Sequence, residues 1–180
     1  MEPITPHKIL AICFDCGDTI VDEDTEVKSS EGVTQEASLI PGAEDTLRAL
    51  KGLGYRLALV ADGPAGTFYN VLGHYGLLDL FDSLAISALV GAEKPDPLIF
   101  RYALNQLEIP LAEYGRVLMV GNHLARDIKG ANALGLVSIW LDWSPRRPKV
   151  PADPLERPCY TIKKPSDLMN IVERLEKNGL

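Results

Sequence analysis

Four short apolar runs end in residues able to do chemistry. Ile9 to Phe14 leads into Asp15, within Phe14, Asp15, Cys16, Gly17, Asp18, Thr19, and Leu57 to Ala61 leads into Asp62 and Gly63. Leu84 to Ser87 is followed by Glu93, Lys94, Pro95 and Asp96, and Val117 to Gly121 by Asn122, His123 and then Asp127. If these runs are parallel strands of one α/β sheet, their carboxyl ends share an edge, and that edge is where such a sheet binds its ligand. Carboxylates and a lysine from distant segments then meet in one cleft, a set suited to a charged ligand.

The elements that must position these groups follow from the hydrophobic pattern. The strand candidates are 9–14, 57–61, 84–87, 117–121, 137–141 and 160–162. They are mostly continuous apolar runs, which implies burial on both faces. Helix candidates fill the gaps at about 41–53, 65–75, 97–107, 125–134 and 166–177, with Asp96 as an N-cap and Gly135 at a helix C-terminus. This pattern predicts a three-layer α/β/α, Rossmann-like fold with a mostly parallel sheet. No repeat or composition break divides residues 1–180, so one domain is expected.

Two stretches break the alternation. Residues 21–40 are acidic, with Lys28 against six carboxylates, and predict an exposed flap or hairpin. Residues 144–159 carry five prolines with Arg146, Arg147 and Lys149, and predict an extended loop. The loop follows a strand on the ligand side, so its arginines could reach an anionic substrate, but solvation is the default for a charge run.

With 180 residues, 46% hydrophobic, 24% charged and a net charge of −7, the composition is that of an ordinary globular domain. The acidic balance argues against nucleic-acid binding. The longest early apolar run is too short for a bilayer span or a secretory signal, so no membrane association is expected. Cys13, Cys16 and Cys159 cannot all pair, and reduced thiols in the cytoplasm are expected. Cys13 and Cys16 form a C-x-x-C pair, but they flank a strand end and lack a second pair to complete a zinc site. Neither a phosphate-loop motif nor a dinucleotide-binding glycine pattern follows the first strand. Trp140 and Trp143 are assigned to packing, and His7 and His74 carry no pattern.

Together, Asp15 with Gly17, Asp18 and Thr19, the Leu59 to Gly63 strand end, Lys94 to Pro97 with Phe100, and Val120 to Asn122 with Asp127, Ile128, Gly130 and Ala131 resemble the haloacid dehalogenase-like superfamily of hydrolases. The resemblance covers nearly the whole chain. Most members are magnesium-dependent phosphatases. It implies that Asp15 is a nucleophile forming an aspartyl-phosphate, and that Lys94 offsets charge on Asp15 and on the phosphoryl group. Mg²⁺ would be held by Asp15, the Gly17 carbonyl, Asn122 and Asp127. Ala61, Asp62, Gly63 and His123 would face a phosphorylated small molecule or macromolecule.

Three positions depart from the family pattern. Gly17 stands where a second aspartate usually acts as general acid/base, Ala61 where a hydroxyl usually binds the phosphoryl oxygens, and Asn122 where a metal-binding aspartate is usual. General acid catalysis is typically worth ~10² to 10⁴ in rate. A slow phosphatase, or one specialised for good leaving groups, is therefore expected. The alternative is a degenerate domain that binds phosphate or a partner without turnover. A dehalogenase fits less well, since only 21 residues separate Thr19 from Pro41, too few for the helical cap of the small-substrate dehalogenases. An open cleft needs a cover, and a homo-oligomer is expected in which the acidic flap of one subunit meets the Arg146, Arg147 and Lys149 loop of another.

Overall fold

The chain begins with β1 (Ala11–Phe14), a hairpin of β2 (Val27–Lys28) and β3 (Thr34–Glu36), α1 (Ala43–Gly52), β4 (Leu57–Ala61) and α2 (Ala65–His74). It continues through β5 (Ser83–Ile86), α3 (Ser87–Val90), α4 (Pro97–Gln106), β6 (Val117–Gly121), a π-helical turn (Leu124–Ile128) and α5 (Lys129–Ala133). The last elements are β7 (Val137–Leu141), β8 (Tyr160–Ile162) and α6 (Leu168–Asn178). The computed structural model describes residues 7–179.

Six strands form one sheet in the order β5-β4-β1-β6-β7-β8, with every neighbouring pair parallel. The order reverses at β1, which lies between β4 and β6. A crevice opens at such a switch point, outside the carboxyl ends of the strands. Side chains alternate between the two faces. Ile12, Phe14, Leu57, Leu59, Leu118 and Val120 pack with α1, α2 and α6 on one side. On the other, Ala11, Cys13, Ala58, Val60, Val117 and Met119 pack against α4 and α5 through Ile99, Phe100, Ala103, Leu104 and Ala131. Burial on both faces explains the uninterrupted apolar runs, and each buried Leu or Ile side chain contributes roughly 1.5–3 kcal/mol.

Element boundaries shift from the expected ones for local reasons. The strand expected at 84–87 runs Ser83–Ile86, because Ser87 opens α3 and accepts the Gly63 N–H through its hydroxyl. The helix expected at 125–134 is a π-helical turn followed by α5, since the His123 carbonyl accepts from the amides of Arg126, Asp127 and Ile128. The helix expected from 166 opens as a 3₁₀ turn (Pro165–Asp167) before α6. Asp96 does cap α4, accepting from the Leu98 N–H at 2.8 Å, and Gly135 has φ +75°.

The acidic segment is a hairpin, as its composition predicts, with Val27 opposite Glu36 and Lys28 opposite Thr34. The basic loop corrects the default expectation of solvation. Arg146 pairs with Asp18, Asp22 and Asp24, and Arg147 with Glu23 at 2.6 Å. The charges expected to join two subunits are thus matched within one chain, which removes the charge argument for self-association.

The approach of α5 to α4 depends on Gly130. A Cβ there would overlap the Phe100 ring and come within 3.3 Å of Pro95 Cα. Gly130→Ala should therefore destabilise the fold by about 1–3 kcal/mol, the usual cost of overpacking, seen as a lower urea midpoint with an unchanged slope.

Candidate active site

The centre of the cleft is a buried ammonium. Lys94 reaches back from the loop before α4, so that Nζ lies 2.6 Å from Asp15 Oδ1 and 2.7 Å from Asp127 Oδ1. It also donates to the Val60 carbonyl at 2.8 Å, and the side chain is 2% exposed. Burial works against its charge, but Asp127, Asp15 and Asp62 outweigh it and hold Lys94 well above the ordinary lysine range. The loop is fastened by Asp62, whose Oδ1 accepts the Lys94 N–H at 3.0 Å while Oδ2 lies 3.3 Å from Arg126.

Asp15 follows β1, and its N–H continues the ladder by donating to Val120 at 2.9 Å. Oδ2 accepts from Thr19 Oγ1 at 3.3 Å. Burial first and Asp127 second raise its pKa, with Lys94 pulling the other way. Asp127 is placed by the π-helical turn, its Oδ2 accepting the His123 N–H at 2.9 Å. Gly121 makes this close seat available, because any Cβ there would overlap the Asp127 carboxyl group.

The other predicted site residues differ in what they offer. Asn122 is buried, its carbonyl accepts from Trp140 Nε1 at 2.9 Å, and its Nδ2 has no hydrogen-bond partner among the described residues. His123 is half-buried, its Nδ1 likewise has no partner among them, and burial, Arg147 and Arg126 lower its pKa. Ala61 is buried in the core beside Phe68 and Val71. The Gly63 N–H is already donated to Ser87. Cys13 and Cys16 lie on opposite faces of the sheet, and burial pushes the Cys13 thiol up to about 12 and raises Cys16 too.

Asp15, Gly17, Asp62, Lys94, Asn122, His123 and Asp127 line one cleft, which also contains Glu23, Phe68, Arg126 and Arg147. Those last four carried no motif. For Arg147 the signal was its loop's place after a strand on the ligand side, and for Glu23 the complementary charge of the acidic and basic stretches. For Phe68 and Arg126 there was none. Burial raises the Glu23 pKa, with Asp18 and Asp15 adding to the effect and Arg147 opposing it. A second cavity of about 170 Å³ continues beneath the hairpin, sharing Gly17, Glu23, Asp62 and Phe68 and reaching Glu26, Lys28, Thr34 and Thr67.

A divalent cation suits this donor set. Four carboxyl groups and three cationic side chains line the cleft, so its own cations are already offset before a phosphate dianion enters. Asp15, Asp127, Asn122 and the Gly17 carbonyl are the oxygen donors at hand, and Mg²⁺ commonly takes one or two protein carboxylates while keeping waters.

Lys94 also keeps the Asp15 and Asp127 carboxylates apart, the latter buried. Lys94→Met should cost about 3–5 kcal/mol at pH 7, the range for stripping one partner from a buried ion pair. The carboxyl at Asp15, whose pKa is already raised, would rise further in the folded state. The folded variant then holds its proton more tightly than the unfolded chain, so its deficit should shrink as pH falls. Urea titrations of the variant and wild type at pH 7 and pH 5 measure both effects.

The comparisons with known proteins address the family and the fold. A family model described as haloacid dehalogenase-like hydrolase matches residues 17–135. A glyceraldehyde 3-phosphate phosphatase of Pyrococcus abyssi is 33% identical over 140 residues, which is 78% of this chain and 56% of that protein. A pyrimidine 5'-nucleotidase of Escherichia coli is 39% identical over 103 residues, 57% of this chain and 44% of that protein. The chain spans about half the length of these curated relatives. The crystal structure of a phosphatase from Thermococcus onnurineus shares the fold, with a TM-score of 0.72 at 23% identity over 91% of this chain and 97% of that one. With the parallel sheet, its switch point and the strand-end acids around Lys94 already in view, the family match establishes that the chain belongs to the haloacid dehalogenase-like hydrolases.

Proposed function

We propose that the protein is a Mg²⁺-dependent phosphohydrolase that transfers the phosphoryl group of its substrate to Asp15. The observation that carries this is the Asp15 carboxylate at the switch point, held 2.6 Å from the buried Lys94 ammonium. The ion pair aims the carboxylate and opposes the burial that favours the neutral acid. As Asp15 attacks phosphorus, Lys94 stands beside the forming bond and offsets the charge of the phosphoryl oxygens. Arg147 and Arg126, on the rim, draw the dianion in. Asp62 acts on Lys94 rather than on substrate. Bound Mg²⁺, held by Asp15, Asp127, Asn122 and the Gly17 carbonyl, would supply the further positive charge that a dianion needs here.

The substrate is a phosphorylated small molecule whose leaving group lies in the cavity beneath the hairpin. That cavity begins where the cleft ends and is lined by both charged and apolar groups. Residues 1–180 act as one domain in this reading, in the cytoplasm, where the free thiols of Cys13, Cys16 and Cys159 would stay reduced. Among the described residues no helix is long and apolar enough to cross a membrane. The missing hydroxyl at Ala61 and the Gly63 amide committed to Ser87 favour a second reading, phosphate binding without turnover.

A panel of phosphate monoesters assayed with Mg²⁺ and with chelator separates the two. Release of phosphate should require Mg²⁺ and fall to the uncatalysed background in Asp15→Asn. The thermal midpoint of that variant should stay within a few degrees of wild type, because Lys94 keeps Asp127 as a partner. Saturable phosphate binding with no release of product from any ester would favour the second reading.

A further inference from the structure

The position that normally carries the proton donor is glycine, and a side chain from elsewhere fills its space. A Cβ placed on Gly17 would lie 2.9 Å from the carboxyl carbon of Glu23 and closer still to its Oε1. Glu23 belongs to the segment leading into the hairpin, outside every motif by which the sequence marks the site. It lines the cleft that holds Asp15 and Lys94, and it also lines the cavity beneath the hairpin. Its carboxyl group therefore stands at the junction between the phosphoryl site and the space for the leaving group.

Its position is fixed from two sides. The Glu23 N–H donates to Asp18 Oδ1 at 3.2 Å, and Oε2 accepts from Arg147 at 2.6 Å. Oε1, the atom in the space above Gly17, has no such partner among the described residues. Asp18, the carboxylate nearest in sequence to the vacated position, cannot substitute. It is fully buried and bound by the Arg146 guanidinium and by the Glu23 amide.

We propose that Glu23 is the general acid and base of this enzyme, in place of the residue that Gly17 lacks. The proposal rests on the phosphohydrolase reading above. In the first half-reaction an Asp15 oxygen forms a bond to phosphorus and the bond from phosphorus to the leaving oxygen breaks. The Glu23 carboxyl proton passes to that oxygen, giving the free alcohol and a Glu23 carboxylate. In the second, the carboxylate takes a proton from a water attacking phosphorus. The Asp15–phosphorus bond breaks, and inorganic phosphate leaves with both side chains restored. The arrangement ties catalysis to the hairpin: the proton donor is in place only while Arg146 holds the segment leading into it, through Asp18, Asp22 and Asp24.

The test is leaving-group selectivity, which a purely structural role would not produce. Glu23→Gln keeps the acceptor for Arg147 but removes the proton. On an alkyl phosphate, kcat/KM, which reports only the steps through leaving-group departure and not the second half-reaction, should fall by ~10² to 10⁴, the usual worth of general acid catalysis. On 4-nitrophenyl phosphate, whose leaving group needs no proton, the fall should be under about tenfold. A second set of variants reads the geometry without turnover. Gly17→Asp alone should lower the thermal midpoint, because the new side chain meets Glu23, and Gly17→Asp combined with Glu23→Ala should recover it. The double variant should also regain alkyl phosphatase activity over Glu23→Ala. Equal losses on both esters, or none, with Asp15→Asn still inactive, would make Glu23 only a latch and overturn this proposal while leaving the phosphohydrolase reading intact. Absence of turnover by the wild type on every ester would overturn both.

Discussion

The Lys94 ammonium, enclosed between Asp15 and Asp127, is the interaction on which the rest of the site depends. Charges so little exposed are costly to hold apart from water, and only mutual compensation makes the arrangement tolerable. Three separate strand ends must therefore arrive together. Asp15 comes from β1, Asp127 from the turn after β6, and the Val60 carbonyl that also accepts a hydrogen bond from Lys94 comes from β4. Asp62 fixes the loop from which the lysine reaches in. The parallel order β4-β1-β6 is what brings these three ends side by side, so the electrostatics of the site and the topology of the sheet support each other.

A second set of charges governs how the site is covered. Phosphoryl transfer depends on electrostatic contacts that strengthen when water is excluded. In this chain the insertion after β1 is a two-stranded hairpin, and the basic loop after β7 binds it through Arg146 and Arg147. Apart from exposed Asp24, these groups are only partly exposed, and they form a network, so they should hold better than isolated surface bridges. A cover made from two loops of the same chain needs no partner subunit.

The layers and most strands were legible in the sequence because burial on both faces leaves continuous apolar runs, as in Leu57 to Ala61 and Val117 to Gly121. Asp15, Lys94 and Asp127 were legible for a related reason: each sits at a fixed offset from such a run. Local hydrogen bonding hid the finer boundaries. Nothing in hydrophobic periodicity foretells that the His123 carbonyl gathers three amides into a π-helical turn, or that Ser87 leaves its strand to serve Gly63. The ionic latch was hidden more deeply. Arg146 and Asp18 are far apart in sequence, and charge composition shows that two segments are complementary without showing that they meet in one chain.

The departures at Gly17, Ala61 and Asn122 look in the sequence like three independent losses, but in three dimensions Gly17 is of a different kind. Its missing side chain makes room for the Glu23 carboxyl group, and an aspartate there would collide with it. Glycine at 17 and glutamate at 23 are thus alternatives to be weighed as a pair. Restoring the family residue at 17 alone would add a carboxylate to a site already rich in them and displace the one in place. Ala61 has no comparable replacement: it is packed in the core, and the neighbouring Gly63 amide is engaged by Ser87. In the phosphohydrolase reading, the burden of holding the phosphoryl oxygens would therefore fall on Lys94 and on the guanidinium groups of Arg126 and Arg147. Arg147 then has two partners in prospect, Glu23 before substrate enters and the phosphoryl group afterwards. A dianion that draws Arg147 away from Glu23 would remove the contact that most opposes protonation of that carboxyl group, so substrate entry itself would favour the form able to donate a proton.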